Sequence, residues 1–317
     1  METENYLQQL TARLSDGLSR LPQEFRERQA AYLRAAQNRD GGFSGREGGS
    51  DLYYTGFALR GLAVLDALTP EVAERAAECL RQSLNQQASV VDFFSLLYSC
   101  LLVQTGGGPD VLADSPADWP DRVAALLETF RTPDGGYAKS PGSPAGSTYH
   151  TFLVALCNQL LGRSVPDPEM IVRFIQSRRR DDGGFVEIGA MRRSGTNPTA
   201  AAVGVLQIAG VLDDPIRAGV ADFLAGLQGF EGGFQANARA PLADLLSTFT
   251  GPWTLEQLGA LDRIDAAAAL RYAQSLEQPA GGFRGGLWDE RADVEYTFYG
   301  LGVLALLSGS QSSEPRP

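Results

Sequence analysis

The chain has 317 residues, 44% hydrophobic and 21% charged, a composition suited to packed structure rather than disorder. Its formal net charge of −11 argues against binding nucleic acid or an anionic membrane through a basic face. Cys79, Cys100 and Cys157 lack C-x-x-C spacing, the start of the chain lacks a signal-peptide pattern, and no apolar run reaches about eighteen residues; the expectation is a cytoplasmic protein with free thiols and no membrane span.

Residues 1–22 read as an N-terminal helical extension. From Gln23 to Leu307 one pattern recurs: an amphipathic helix, a Gly-Gly-aromatic turn, a short loop and a second, nearly all-apolar helix. The Gly-Gly pairs start at Gly41, Gly135, Gly183, Gly232 and Gly281, with gaps of 94, 48, 49 and 49. The first gap is twice 47, so one unit has lost its marker and six units are implied. The first helices are expected at Glu24–Gln37, Glu71–Asn85, Asp121–Phe130, Glu169–Ser177, Ile216–Gln228 and Ala266–Glu277, several of them opened by a proline. The second helices are expected at Leu52–Leu65, Phe93–Val103, Tyr149–Leu161, Ala200–Ile208, Leu245–Leu261 and Val294–Leu307. A helix that is apolar all round is buried, so the second set forms an inner ring inside the first. Six such pairs close into an all-α fold, an α/α toroid of twelve helices around a central cavity; an open solenoid would need a polar face on its inner helices. The paired glycines are expected to end the first helices in the left-handed conformation, with the aromatic packed between units. Thr105–Trp119 is the longest irregular insert, and residues 308–317 are expected to be a disordered tail.

Six Gly-Gly-aromatic units with apolar inner helices resemble the β subunits of protein prenyltransferases and, more distantly, the squalene and terpenoid cyclases. The segments GGFQANARAPLADLLSTF and GGFRGGLWDERADVEYTFYGLGVLALL are most similar to the last repeats of Rab geranylgeranyltransferase β subunits. The resemblance implies a hydrophobic funnel for an isoprenoid, a diphosphate site and a zinc site at its mouth, and a helical-repeat α-type partner subunit. The family's zinc ligands are an Asp, a Cys two positions later and a His; here Asp244 matches the Asp, but Leu246 and Tyr296 stand at the other two positions. Three protein ligands and an open position are needed to activate a thiol, so the family's zinc is expected to be missing, with no other cofactor in its place. The basic residues before the zinc Asp fall near Ala238 and Pro241, one step from Arg239; a Tyr after the Cys position falls on Ser247; and the repeat-four His falls close to Arg193.

The inner helices all run the same way, which gathers six positive N-termini at one mouth. Their expected caps are Asp51, Asp92, Ser147 or Thr148, Thr196 or Asn197, Asp244 and Asp293. An arc of Asp caps leaves units three and four open to an anion, with Arg192 and Arg193 beside them; ordinary capping with solvated arginines is the alternative. Asp244, Asp293 and Glu295 are candidates to share a proton or a divalent cation, and Asp244, Asp293 and Tyr296 are the candidate catalytic residues. A prenyl diphosphate or other isoprenoid is the expected ligand, with Arg192, Arg193, Arg239 and His150 as candidate head-group contacts. Tyr53, Phe249 and Trp253 are candidate lumen aromatics, and Tyr296 is expected to share that exposure. His150 reads first as a hydrogen-bonded structural histidine and second as a phosphate contact or base. The run Arg178–Arg180 reads as a solvated turn balanced by Asp181 and Asp182 or as a grip on an acidic partner.

Overall fold

The computed structural model describes residues 5–84 and 87–309 of the chain. Within them the extension forms α1 (Tyr6–Ser19), and twelve further helices follow in outer–inner pairs. The outer helices are α2 (Gln23–Ala35), α4 (Pro70–Ser83), α6 (Trp119–Glu128), α8 (Pro168–Ser177), α10 (Asp214–Ala225) and α12 (Ala266–Ser275). The inner ones are α3 (Leu52–Val64), α5 (Val90–Thr105), α7 (Thr148–Leu160), α9 (Thr196–Ile208), α11 (Leu245–Gln257) and α13 (Val294–Leu307). Two short antiparallel pairs, absent from the all-helical expectation, lead into the last two inner helices: β1 (Phe234–Gln235) with β2 (Ala243–Asp244), and β3 (Phe283–Arg284) with β4 (Ala292–Asp293). Of the expected tail, Ser308 caps α13 through a bond to the Leu304 carbonyl, and residues 310–317 lie outside the described residues.

Each inner helix packs on the next, and α13 returns to α3, so the ring is closed. The seam is built like the other junctions. Gly281 has φ +93°, and a Cβ there would lie 2.8 Å from the Arg28 carbonyl oxygen of α2, a spacing only glycine tolerates. Across the same seam Arg28 and Gln29 both donate to Glu277, at 2.6 and 2.7 Å. These glycines do not end helices, contrary to expectation. α12 is capped at Leu276, and Gly281 belongs to a separate turn closed by its own N–H to the Gln278 carbonyl. The separate turn lets the chain touch the neighbouring outer helix before it turns inward.

The aromatic that follows is a wedge. Phe43, Tyr137, Phe185, Phe234 and Phe283 are fully buried. Each donates its backbone N–H to a threonine of its own unit's inner helix: Thr55, Thr151, Thr199, Thr248 and Thr297, at 2.9–3.1 Å. Phe283 lies against Gly300 and Phe234 against Gly251, so these rings brace helices within a unit as much as between units. The sequence of unit two lacks the Gly-Gly-aromatic motif, and beside α5 and α6 there is a lateral cavity of about 780 Å³.

The extension plugs the ring. Leu14 and Leu18 of α1 are buried, and Arg13 donates to the Ala305 and Leu306 carbonyls at the C-terminus of α13, where a cation is favoured. The inner helices start at the opposite end. One end of the barrel is therefore floored by α1 and the other is the mouth.

Candidate functional site

The lumen is a cavity of about 430 Å³, within the range of small-molecule sites of about 300–1,000 Å³. Its wall is aromatic: Tyr53 and Phe57 of α3, Phe94 of α5, Phe152 of α7, and Phe249 and Trp253 of α11. Its floor is Tyr6, Leu7 and Leu10 of α1. The Trp253 Nε1–H donates to the Tyr6 hydroxyl at 2.8 Å, tying wall to floor. Phe249 stacks on Tyr299 with centroids 5.8 Å apart. The structure thus places Tyr53, Phe249 and Trp253 on the lumen. Tyr296 lies outside that lining, half-buried at the mouth against the Arg46 guanidinium, 5.6 Å from its ring centre.

The mouth differs in detail from its expected design. Asp51, Asp244 and Asp293 cap α3, α11 and α13 as expected. In unit two the cap is Ser89, and Asp92 closes the box from three residues inside the helix. In unit four the cap is Gly195, with no side-chain bond. Nor is unit three open to an anion. The Glu187 carboxylate accepts from the Ser147 hydroxyl and from the Tyr149 N–H, occupying the start of α7. Burial pushes the Glu187 carboxyl above its usual range. Arg192, Arg193 and Arg239 are exposed on the loops entering α9 and α11 and are not part of the lumen lining. The His150 Nδ1 lies 2.7 Å from the Ser147 hydroxyl; the ring is absent from the lumen lining, and burial, with the Lys139 charge, lowers its pKa to about 4.

No hydrogen bond joins any two of Asp244, Asp293 and Glu295 among the described residues. Asp244 accepts from the Ser247 N–H and hydroxyl at 2.7 and 2.9 Å. Asp293 accepts from the Tyr296 N–H and from Arg46 Nε, each at 2.9 Å. Glu295 accepts from the Tyr53 hydroxyl at 2.6 Å and the Tyr299 hydroxyl at 3.3 Å. Burial raises the pKa of all three carboxyls. Among the described residues no group of three or more His, Cys, Asp or Glu side chains is placed to hold a metal ion. The zinc donor set of the resemblance does not fit here: Leu246 offers the lumen wall a hydrocarbon side chain, and Tyr296 stacks on Arg46.

Three functional candidates escaped the sequence reading. Arg46 pairs with both Asp289 and Asp293 and joins the first unit to the last. Glu187 follows a Gly-Gly-Phe turn and had no marker of its own. Arg60 is the one charge on α3, and it lines the lumen. Its presence in an otherwise apolar helix was the available signal. The arginine run, by contrast, is structural. Arg178 is buried on Phe174 and paired with Asp134, while Arg179 and Arg180 donate to backbone carbonyls.

A closed double ring of helices with an apolar, aromatic lumen defines an α/α toroid. The family described as the prenyltransferase alpha-alpha toroid domain matches residues 24–80 and 77–315, and the chain belongs to it. No curated protein matches the sequence. Among solved structures the chain is similar to Candida albicans protein geranylgeranyltransferase-I complexed with GGPP, at 14% identity and TM-score 0.67, over 90% of this chain and 92% of that one. It is similar to a single-residue variant of the type II terpene cyclase MstE from Scytonema, in complex with geranylgeranyl dihydroxybenzoate as substrate, at 14% identity and TM-score 0.60, over 96% and 99%. A glycosidase variant in complex with glucose also matches, at 13% identity and TM-score 0.55, over 94% and 97%. At these identities the likeness is one of fold, and one fold hosts several chemistries.

Proposed function

We propose that this protein binds an isoprenoid chain in its central cavity, without the zinc-dependent thiol chemistry of the protein prenyltransferases. The observation that carries this reading is the lumen itself: about 430 Å³, walled by rings and floored by α1. Apolar burial and contacts with aromatic faces suit an unsaturated hydrocarbon chain. The two neighbours complexed with geranylgeranyl compounds support it. The absence of zinc chemistry rests on the donor set, since Leu246 and Tyr296 supply neither thiolate nor imidazole. A prenyl diphosphate, if it is the ligand, would place its head near Arg192, Arg193 and Arg239 at the mouth; an α-type partner subunit would bind the outer ring.

Cyclisation is a second reading. Glu295 is a half-buried carboxyl with a raised pKa, and Tyr53, which donates to it, faces the lumen. A carboxyl whose pKa is raised by burial beside an apolar cavity is a candidate acid.

Native mass spectrometry with geranylgeraniol and geranylgeranyl diphosphate tests the main reading. One chain-bearing adduct per protein is expected. No adduct with either compound would refute it. Formation of a cyclised isomer of either compound, its head group retained and the proton returned, lost in Glu295→Gln, would establish the second reading.

A further inference from the structure

Arg60 carries the strongest unassigned signal in the molecule. Its guanidinium lies over the Phe57 ring at 3.9 Å and near Phe298 at 5.2 Å, beside Leu10 and Thr11 of the α1 floor. It sits eight residues after Leu52, about 12 Å down the helix from the mouth at 1.5 Å per residue. Nε donates to the Gly56 carbonyl one turn earlier, at 3.0 Å. Nη1 and Nη2 have no protein acceptor, and the side chain has no ion-pair partner, among the described residues. Glu295 feels the Arg60 charge but is hydrogen-bonded to Tyr53 and Tyr299 rather than to the guanidinium. Stacking on Phe57 satisfies the guanidinium face, whereas its N–H donors lie in the plane of the group and stay available. A partly buried cation with no counter-ion and no acceptor for its two terminal nitrogens is costly, and in a chain of net charge −11 it is conspicuous.

We propose that Arg60 binds the terminal carboxylate of a monoanionic amphiphile, whose isoprenoid chain fills the lumen above it. The inference rests on the isoprenoid reading of the cavity and adds the chemistry and direction of the head group. One guanidinium balances one carboxylate, with two N–H donors meeting two oxygens. A diphosphate carries several negative charges for the same single cation. The upper lumen also disfavours a multiply charged head, since Glu187 lines it and Glu295 stands behind Tyr53. Of the mouth arginines, Arg46 is held by Asp289 and Asp293, and Arg192, Arg193 and Arg239 are exposed outside the lumen lining.

The test compares three compounds with one chain, geranylgeranoic acid, geranylgeraniol and geranylgeranyl diphosphate, by calorimetric titration of the full-length protein. Wild type should bind the acid on the order of tenfold more tightly than the alcohol, the range expected of a charged hydrogen bond. Arg60→Met should abolish the preference for acid over alcohol, and Arg60→Lys should restore part of it. Equal binding of acid and alcohol by wild type would overturn the proposal and leave the isoprenoid reading standing. Tightest binding of the diphosphate, unaffected by Arg60→Met, would overturn it in favour of a head at the mouth. Binding of none of the three would bring down both. The wild-type preference needs no variant, so a poorly folded Arg60→Met cannot mask the answer.

Discussion

At the mouth of the barrel, Arg46 is clamped by two carboxylates from the last unit, and the inner helices begin on Asp, Ser or Gly caps. At the floor, Arg60 lies among aromatic rings with its terminal N–H groups free of protein acceptors among the described residues. The same residue type is thus a structural fastener at one end and an available binding group at the other. What separates them is whether the chain supplies the counter-charge. The residue that looks active, sitting at a cluster of acids, is already satisfied.

The largest expected effect follows from breaking the mouth fastener. Arg46→Met would leave Asp289 and Asp293, both buried, without their cation. Unpairing a buried ion pair costs about 3–5 kcal/mol, and partial exposure of Arg46 lowers this to about 2–3 kcal/mol, readable in urea unfolding. Loss of less than about 0.5 kcal/mol would mean that the clamp is surface decoration.

A smaller loss is expected at the floor. Tyr6→Phe removes the acceptor of the buried Trp253 indole N–H and should cost about 1–2 kcal/mol. An unchanged unfolding midpoint would show that α1 does not tie into the wall as described.

The smallest effect concerns His150, the single histidine. Its folded pKa of about 4 lies below the ordinary value of about 6.5. The unfolded chain therefore takes up the proton first, and stability falls as pH drops from about 6.5 towards 4. The histidine ring resonance should titrate near pH 4, and His150→Gln should flatten the acid slope of unfolding. A midpoint near 6.5 would place the ring in water.

Much of the fold was legible because repetition amplifies weak signals. Any one Gly-Gly-aromatic turn says little, but Gly135, Gly183, Gly232 and Gly281 fall at near-constant spacing, and the apolar helices between them can only be interior. The closing of the ring onto α2 through Gly281 follows the same rule. The site was much less legible, for two physical reasons. Arg46 finds Asp289 and Asp293 only because the ring closes, across some 243–247 residues of sequence. Arg60 was visible as a charge in LYYTGFALRGLAVL, but sequence cannot say whether it faces the lumen or the seam between helices. Caps misled in the same way: Asp92 and Asn197 are good cap residues, yet Ser89 and Gly195 hold those positions because the inner helices start one turn earlier than the apolar run suggested.

The central claim is that the lumen holds the ligand chain. Ala200 of α9 lines the lumen, and Ala200→Trp would fill that space with an indole while leaving the mouth and Arg60 unaltered. Stoichiometric binding of a geranylgeranyl chain by wild type, weakened on the order of tenfold or more in Ala200→Trp with unfolding unchanged, is the result expected when apolar burial is lost. Equal binding by the two proteins, or none by wild type, would contradict it.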